Sequence, residues 1–254
     1  MIASYWSDDT CALYLGDCRE VLPDLDVTAD LCVADPPYGE TSLAWDRWPD
    51  GWLGVAATVS RSMWCFGSMR ISQDIIGRDE DGAPVYGDVH VVWEKTHGTG
   101  IANDRFRRVH EHVLHWYRGA WRPLYHDTPR TRYHGPDSRH GYTRSGTDGH
   151  TGALAAGYRW TDDGTRLMRS VIHCPTMWRR GAIHKTEKPV ELLKPLIEYA
   201  CPPGGLVIDP FAGSGSTLDA ARLSGRRAIG IEVDERYCEL AARRLSRATL
   251  EIAP

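Results

Sequence analysis

Short apolar runs that end in an acidic residue recur along this chain of 254 residues. The runs Leu206–Asp209 and Ile229–Glu232 each contain β-branched residues and close on a carboxylate. Runs of this length and composition predict buried strands of a parallel sheet. Segments of similar shape, Leu13–Cys18 and Asp30–Asp35, predict two further strands. More apolar runs predict that the sheet continues through Met63–Gly67, Val89–Glu94 and His112–Tyr117.

Helices are predicted between these strands. A glycine-rich turn, Pro210–Ser216, leads from the first run into Thr217–Leu223, where a helix is expected to start. Apolar residues at helical spacing predict a last helix after Asp234, which is a suitable N-cap. Another amphipathic segment contains Pro195, which predicts a kink. The alternation of strand and helix indicates an α/β fold with a nucleotide-shaped pocket at the glycine turn.

The strand at Asp30–Asp35 runs directly into the tetrapeptide Asp35-Pro36-Pro37-Tyr38. Two consecutive prolines end a strand or helix and fix the backbone, because neither can donate a ladder hydrogen bond. The Asp35 carboxylate and the Pro36 carbonyl are therefore held rigidly beside an aromatic ring. The alternative is a rigid structural loop in which Tyr38 only packs.

Composition narrows the class of protein without identifying an activity. Hydrophobic residues make up 42% of the chain and charged residues 25%, which is typical of a globular protein. No run is long enough to span a membrane and no signal pattern is present, so we expect a cytoplasmic protein without a membrane partner. Seven scattered cysteines without a Cys-x-x-Cys pair favour reduced thiols over a zinc site. Strand alternation separates His110 and His112 from His115, so we expect no metal there either.

Charge is distributed unevenly along the chain. The net charge is −4, yet the stretch from residue 118 to residue 170 holds nine arginines, five aspartates and neither lysine nor glutamate. That stretch carries +4 and the remainder −8. Arginine interleaved with tyrosine and tryptophan suits contact with phosphates and base edges. We therefore expect an insert at 119–170 that binds a polyanion, the alternative being a surface insert without this role.

Three motifs together resemble one family. The tetrapeptide Asp35–Tyr38, the segment His184–Val190 and the glycine turn with its acid, Asp209–Gly215, are similar to motifs of the DNA amino-methyltransferases that use S-adenosylmethionine. Their order along the chain resembles the circularly permuted β group of that family. The resemblance implies a Rossmann-like α/β fold with a twisted, mostly parallel sheet.

The resemblance also implies a division of labour along the chain. Residues 1–118 and 171–254 would form the catalytic and cofactor-binding domain, and residues 119–170 would read the target in double-stranded DNA. Within this insert, the expected DNA contacts are Arg130, Arg132, Arg139 and Arg144. A homodimer is expected from the family alone.

The implied reaction is transfer of a methyl group from S-adenosylmethionine to an exocyclic amine, leaving S-adenosylhomocysteine. The lone pair of such an amine is delocalised into its ring. Hydrogen bonds to Asp35 and to the Pro36 carbonyl would free the lone pair, while Tyr38 stacks on the base and Pro37 completes the rigid motif. The base must be flipped out of the duplex, at a cost of roughly a few kcal/mol.

The family's cofactor residues can be placed one by one on this chain. Glu232 is expected to bind the ribose hydroxyls, and Asp17 resembles the acid near the cofactor adenine. Thr186 and Lys188 are expected to hold the methionine carboxylate, although Thr186 is also a plausible helix cap before Pro189. The methionine portion would be surrounded by Asp209, Phe211, Ala212, Gly213, Ser214, Gly215 and Ser216. No metal is implied.

Adenine N6 is the favoured target, because in the family Asp at the first position of the tetrapeptide is commoner for adenine. Cytosine N4 is the alternative, since the same pocket chemistry serves both amines. Transfer to cytosine C5 is disfavoured, because that reaction needs a cysteine nucleophile and the sequence contains no Pro-Cys dipeptide. Less favoured alternatives are an RNA or protein amine methyltransferase, a non-catalytic DNA-binding relative and a nicotinamide dehydrogenase.

Overall fold

The computed structural model describes residues 2–39, 46–68, 86–99, 104, 106–132, 163–175 and 187–252. The chain forms two compact units. The first comprises Met1–Asp127 together with Ser170–Pro254, and the second comprises Thr128–Arg169.

The segment 119–127, which was expected within the insert, belongs to the first unit. Trp121 packs on Tyr117 with their ring centroids 4.9 Å apart. The backbone N–H of Asp127 donates to the carbonyl of Tyr199 at 2.8 Å. These contacts attach the start of the expected insert to the sheet and to a helix of the first unit. The role of the second unit in target recognition stays a prediction.

The described part of the chain contains eleven strands, nine in one sheet of the first unit and two in a small sheet of the second. The strands are β1 (Trp6–Ser7), β2 (Cys11–Leu15), β3 (Leu31–Ala34), β4 (Ser62–Gly67), β5 (Tyr86–Thr99), β6 (Arg108–Tyr117), β7 (Arg130–Arg132), β8 (Thr165–Leu167), β9 (Val171–His173), β10 (Leu206–Asp209) and β11 (Arg227–Glu232).

The large sheet has the strand order β1-β2-β11-β10-β3-β4-β6-β5-β9. Strands β2, β11, β10, β3 and β4 run parallel to one another, whereas β1 and β6 pair antiparallel with the two ends of this block. Parallel strands place their carboxyl ends at the same edge of a sheet, where ligands bind in such folds. The expected α/β fold with a mostly parallel sheet is confirmed.

Five helices are described: α1 (Cys18–Asp24), α2 (Trp52–Val59), α3 (Val190–Ala200), α4 (Ser216–Leu223) and α5 (Glu235–Ile252). Asp234 precedes α5, and its Oδ1 accepts a hydrogen bond from the backbone N–H of Arg236 at 2.9 Å, as expected of an N-cap. Pro195 does not interrupt α3, which continues from Val190 to Ala200. Because proline lacks an N–H, the helix loses one backbone hydrogen bond at this residue.

Glycine lets helix α4 approach strand β11 closely. A Cβ atom on Gly230 would lie 2.7 Å from Leu218 Cδ1 and 2.9 Å from the Cβ of Ala212, which is too close for carbon atoms. The bare backbone therefore fixes the position of α4, and of the glycine turn that precedes it, against the strand that ends at Glu232.

All seven cysteines are buried and none forms a disulfide. They lie in or beside elements throughout the first unit, from β2 to α5. Burial raises the pKa of Cys18, Cys201 and Cys238 to about 12. These thiols stay protonated and act as small apolar groups of the core.

No described helix combines the length and apolar character that a membrane span requires. Among the residues that the structure describes, no three His, Cys, Asp or Glu side chains converge in a way that could hold a metal ion.

Candidate active site

Four acidic residues lie along one edge of the sheet. Asp35 directly follows β3, Asp209 ends β10, Glu232 ends β11, and Asp17 comes two residues after β2. These four strands are neighbours and run parallel, so their carboxyl ends bring the four acids to a common edge. The sequence predicted each of these acids as a site residue, and the topology explains why residues from distant segments meet.

Both carboxylate oxygens of Asp35 are hydrogen-bonded. The hydroxyl of Tyr38 donates to Oδ1 at 2.8 Å, and the ammonium of Lys188 donates to Oδ2 at 2.5 Å. Nearby, the backbone N–H of Gly39 donates to Asp46 at 2.8 Å. The rigid turn through Pro36 and Pro37 thus presents an oriented carboxylate with an aromatic ring beside it.

Lys188 is the central cation of this region. Its Nζ lies 3.5 Å from Glu111 Oε2 and 4.9 Å from the centroid of the Phe66 ring, and its side chain is only 9% exposed. Burial would lower the pKa of Lys188, but the carboxylates of Asp35 and Glu111 outweigh it and raise the pKa above its usual range. The side chain therefore stays cationic in an environment from which water is largely excluded.

Glu111 joins Lys188 to a second lysine. Its Oε1 accepts a hydrogen bond from Lys95, which is itself 9% exposed. Burial would raise the pKa of Glu111, but the ammonium groups of Lys188 and Lys95 lower it below its ordinary value. We name the alternating group Asp35, Lys188, Glu111 and Lys95 the charge row. The sequence did not predict Glu111 or Lys95 as site residues.

Tyr38 enters the same region as a neutral donor. Burial and the carboxylates of Asp35 and Glu111 raise the pKa of its phenol well above the ordinary value of 10.0. The hydroxyl therefore keeps its proton and donates a hydrogen bond to Asp35. The predicted stacking of its ring on a base stays a prediction.

The glycine turn brings backbone N–H groups to the neighbouring acid. Gly213 and Gly215 have φ angles of +51° and +81°, a left-handed conformation that side chains disfavour. The N–H of Gly213 donates to Glu232 Oε2 at 2.8 Å, and the N–H of Asp234 donates to Oε1 at 2.8 Å. Burial raises the pKa of Glu232 although these amide hydrogen bonds oppose the rise.

Asp209 is more deeply buried than Glu232, at 4% exposure against 9%. Its Oδ1 accepts a hydrogen bond from the N–H of Phe211 at 2.9 Å, which fixes the start of the turn. Burial raises the pKa of Asp209 to about 7, hydrogen bonds from Thr217 and Phe211 oppose the rise, and the charges of Asp35 and Glu232 add to it.

Arg244, which the sequence did not predict, connects the glycine turn to the segment before α3. Its guanidinium donates to the carbonyl of Ser214 at 3.0 Å and to Ser216 Oγ at 2.7 Å. The same guanidinium forms an ion pair with Glu187, whose side chain is 2% exposed. Glu187 immediately precedes Lys188, so one arginine of α5 aligns two predicted cofactor segments.

Asp17 lies at the sheet edge but is already engaged. It caps α1 by accepting from the N–H of Arg19 at 2.9 Å, and its Oδ2 forms an ion pair with the Arg19 guanidinium at 2.5 Å. The Arg19 hydrogen bonds lower the pKa of Asp17. Its predicted contact with the cofactor adenine stays a prediction, and helix capping already accounts for its position.

Other predicted residues are placed as follows. Phe211 packs edge-on against Trp52 with their centroids 5.0 Å apart, so the turn is anchored on α2. Ala212, Ser214 and Ser216 are buried in the turn. Thr186 lies outside the described residues, as do the predicted DNA contacts Arg139 and Arg144.

The two expected DNA contacts that the structure describes lie on strand β7 of the second unit. Arg130 and Arg132 are both exposed. Arg130 donates to Thr165 Oγ1 at 2.6 Å and forms an ion pair with Asp163 at 3.3 Å, whereas Arg132 pairs in register with Thr165 through the backbone. Both side chains are placed at a surface, as a DNA contact requires.

A family model described as DNA methylase, for N6 and N4 methyltransferases, matches residues 29–243. The chain belongs to this family. The DNA methylases of this family are S-adenosylmethionine-dependent amino-methyltransferases.

Individual relatives match this chain over very different lengths. Type II methyltransferase M.ScaI of Streptomyces caespitosus is 26% identical over 269 residues, covering 95% of this chain and 83% of that protein. DNA adenine methyltransferase YhdJ of Escherichia coli is 47% identical over 66 residues, covering 26% of this chain and 22% of that protein. The chain thus spans only about a quarter of the length of YhdJ and of the putative methylase YubD of Escherichia coli, to which it is 57% identical over 63 residues.

Solved structures share the fold at low sequence identity. The M1.HpyAVI complex with S-adenosylmethionine superposes with a TM-score of 0.63 at 21% identity, covering 92% of this chain and 99% of that chain. The cytosine-N4-specific PvuII DNA methyltransferase gives 0.64 at 15% identity, covering 96% of this chain and 89% of that one.

The residues at the sheet edge fit the cofactor of this family. Glu232 offers a carboxylate for hydroxyl groups at a strand end. The apolar side chains of Val233 and Leu15, 72% and 39% exposed, lie beside it and could cover a purine ring. Gly213, whose N–H contacts Glu232, has no side chain, and only the Phe211 carbonyl oxygen would lie near a Cβ at this position, at 3.9 Å.

Proposed function

We propose that this protein methylates the N6 amine of a flipped-out adenine in double-stranded DNA, with S-adenosylmethionine as methyl donor. The observation that carries the proposal is the oriented Asp35 carboxylate, held by Tyr38 and Lys188 at the same sheet edge as Glu232 and the glycine turn. The order of the three motifs along the chain supports assignment to the β group.

In the proposed reaction, Asp35 accepts a hydrogen bond from the target amine and the Pro36 carbonyl accepts a second. These bonds favour a tetrahedral nitrogen with an available lone pair. As the nitrogen–carbon bond forms, the carbon–sulfur bond of S-adenosylmethionine breaks with its electron pair going to sulfur. The cationic nitrogen then releases a proton, for which the Asp35 carboxylate is the nearest proposed acceptor. Tyr38 would stack on the base.

For the cofactor, we propose that Glu232 binds the ribose hydroxyls and that the backbone of the glycine turn surrounds the methionine portion. The turn residues are Asp209, Phe211, Ala212, Gly213, Ser214, Gly215 and Ser216. Lys188 is already paired with two carboxylates. We therefore propose that its main role is to bind and orient Asp35 rather than to bind the methionine carboxylate.

Cytosine N4 is the second candidate target. The cytosine-N4-specific PvuII enzyme shares the fold, and the chemistry at Asp35 would serve either amine. Adenine is favoured because the tetrapeptide begins with Asp and because YhdJ, a DNA adenine methyltransferase, is 47% identical over its matched stretch. We further propose that the arginines of the second unit contact DNA phosphates or base edges.

The deciding experiment is methyl transfer from labelled S-adenosylmethionine to plasmid DNA, followed by digestion to nucleosides and mass spectrometry. N6-methyladenine is the expected product. If N4-methylcytosine is found instead, the target is cytosine, which is the second candidate. Unlabelled DNA, despite cofactor binding measured by calorimetry, would refute the proposed function.

A further inference from the structure

The charge row extends the active site beyond the residues that contact the target amine in the proposed function. Lys188 Nζ is 2.5 Å from Asp35 Oδ2 and 3.5 Å from Glu111 Oε2, and Glu111 Oε1 accepts from Lys95. The four side chains are between 9% and 26% exposed. Two acids and two lysines alternate, so the group is neutral in sum.

The choice of lysine in this group is unusual for the chain. The sequence contains only four lysines against 26 arginines, and two of the four lie in the charge row. An ammonium is a compact point charge that can be aimed at one carboxylate oxygen and can lose its proton, whereas a guanidinium is planar and always charged. A buried ammonium is costly unless it is paired, which explains why Lys188 is flanked by two acids.

Glu111 and Lys95 act on Asp35 through Lys188. Without Glu111, Lys188 would lose one of its two carboxylate partners, and Lys95 would lose its own. Without Lys95, the Glu111 carboxylate would have a single cation and would compete with Asp35 for Lys188. We propose that Glu111 and Lys95 are positioning residues that keep Lys188 protonated and directed at Asp35 Oδ2, so that the carboxylate meets the target amine ionised and oriented. This inference rests on the proposed function.

Charge balance gives this inference a signature that a merely structural role lacks. The variant Glu111→Gln leaves two lysines with one acid, and Lys95→Met leaves two acids with one lysine. The double variant restores neutrality with the Asp35–Lys188 pair alone. Losses from defects at two separate sites would add, whereas losses from charge imbalance between these paired residues would cancel in part, and the pH profile of kcat then tests whether Lys188 is affected.

The first experiment measures kcat as a function of pH for the full-length chain with S-adenosylmethionine and plasmid DNA. Each single variant is expected to lose about tenfold or more in kcat, and the double variant to recover to within about threefold of wild type. The alkaline limb of the Glu111→Gln profile is expected at lower pH, because an excess buried cation favours loss of the Lys188 proton. Additive losses, or single variants that behave as wild type, would overturn the inference.

Matched controls isolate the charge row. The pair Glu239 and Arg243 on α5 is exposed and lies outside the site, so replacing both by Gln and Met is expected to leave kcat and its pH profile unchanged. Calorimetry should give cofactor affinities for the charge-row variants within about twofold of wild type, because Glu111 and Lys95 act on the transfer step.

A second experiment does not depend on activity. With four lysines in the chain, ε-¹³C-lysine labelling gives a simple NMR spectrum, and the signal missing from Lys188→Met identifies Lys188. Its titration should occur above the usual lysine range in wild type and at lower pH in Glu111→Gln. An unchanged titration would overturn the inference even where DNA is methylated. Wild-type protein that methylates no DNA would refute the proposed function, while the lysine signals would still show whether Glu111 holds Lys188.

Discussion

The sheet edge compensates its acids in two different ways. On one side, Asp35 and Glu111 are matched by the ammonium groups of the charge row. On the other side, Glu232 and Asp209 are held by uncharged donors, which are the backbone N–H groups of Phe211, Gly213 and Asp234 and the side chain of Thr217. We call these the lysine side and the amide side. A lysine responds to protonation, whereas an amide donor is a fixed dipole that cannot titrate.

The difference suits the two tasks of a methyltransferase. A cofactor that binds in the same form on each turnover needs donors and acceptors that do not change. A carboxylate facing an amine that becomes cationic needs its full negative charge at that moment. Substitutions on the lysine side should therefore lower kcat, and substitutions on the amide side should weaken cofactor binding.

The largest effect is expected on the lysine side. Asp35→Asn keeps the shape but removes the charge opposite Lys188, so methyl transfer should fall by about 1,000-fold. Cofactor affinity measured by calorimetry should change little, because Asp35 faces the amine in our proposal. Asp24→Asn, at the end of α1 and away from the sheet edge, is the control. Loss of cofactor binding in folded Asp35→Asn would remove the distinction between the two sides.

The next effect is expected on the amide side. Glu232→Gln replaces the carboxylate that accepts from Gly213 and Asp234 and is proposed to bind ribose, so the cofactor Kd should rise by roughly 10- to 100-fold. At saturating cofactor, kcat should stay close to wild type. The exposed Glu20→Gln serves as the control for loss of one negative charge. A normal Kd in the Glu232 variant would contradict the ribose assignment.

A smaller effect is expected at the residue that aligns the amide side. Arg244→Met removes the guanidinium that holds Ser214, Ser216 and Glu187, and the cofactor Kd should rise about three- to tenfold. Because this removes the Arg244 cation from the buried Glu187 carboxylate, the double variant with Glu187→Gln is measured in parallel. Arg243→Met, at the exposed neighbouring position, should have no effect; a Kd equal to wild type in both Arg244 variants would refute the alignment role.

The smallest effect on activity is expected for Asp209→Asn, which should instead change how the stability of the protein depends on pH. Asp209 has a folded pKa of about 7 against an ordinary 3.8, so the folded state holds its proton more tightly and stability falls as pH rises between these values. Asp209→Asn should remove this dependence, which is on the order of a few kcal/mol. The Tm difference between variant and wild type should grow in the variant's favour from pH 4 to pH 7.

Glu111 provides the opposite case in the same assay. Its folded pKa is below the ordinary 4.5, so its ion pairs stabilise the protein above that pH and the stabilisation is lost as pH falls through the folded value. The Tm of Glu111→Gln is therefore expected to lie below that of wild type at neutral pH, and this difference should shrink as the pH falls. Parallel Tm curves for both variants would show that the two sides do not differ in this way.

The residues that could be predicted carry local signals. Asp35 to Tyr38 are marked by consecutive prolines, Gly213 and Gly215 by the need for a left-handed turn, and Glu232 by its place at the end of an apolar run. Each signal depends on a few neighbouring residues, and the α/β pattern then brings the strand ends together.

What could not be predicted are contacts between distant segments, including the contact of Lys188, which was expected to bind the methionine carboxylate, with Asp35. Lys188 meets Asp35 across 153 residues, and Arg244 meets Glu187 across 57. Glu111 lies between His110 and His112, which were considered as metal ligands, yet its ion-pair partners are two lysines. The scarcity of lysine in the chain is the one sequence signal that could have drawn attention to Lys95.

The seven buried thiols can also report which parts of the protein unfold locally. A thiol with a raised pKa inside a packed core reacts with an alkylating reagent only when its element separates from its neighbours. Cys32 and Cys65 lie in adjacent central strands, whereas Cys18 and Cys238 lie in helices. The order in which mass spectrometry finds them alkylated would give the hierarchy in which helices and strands leave the folded state, without any added label.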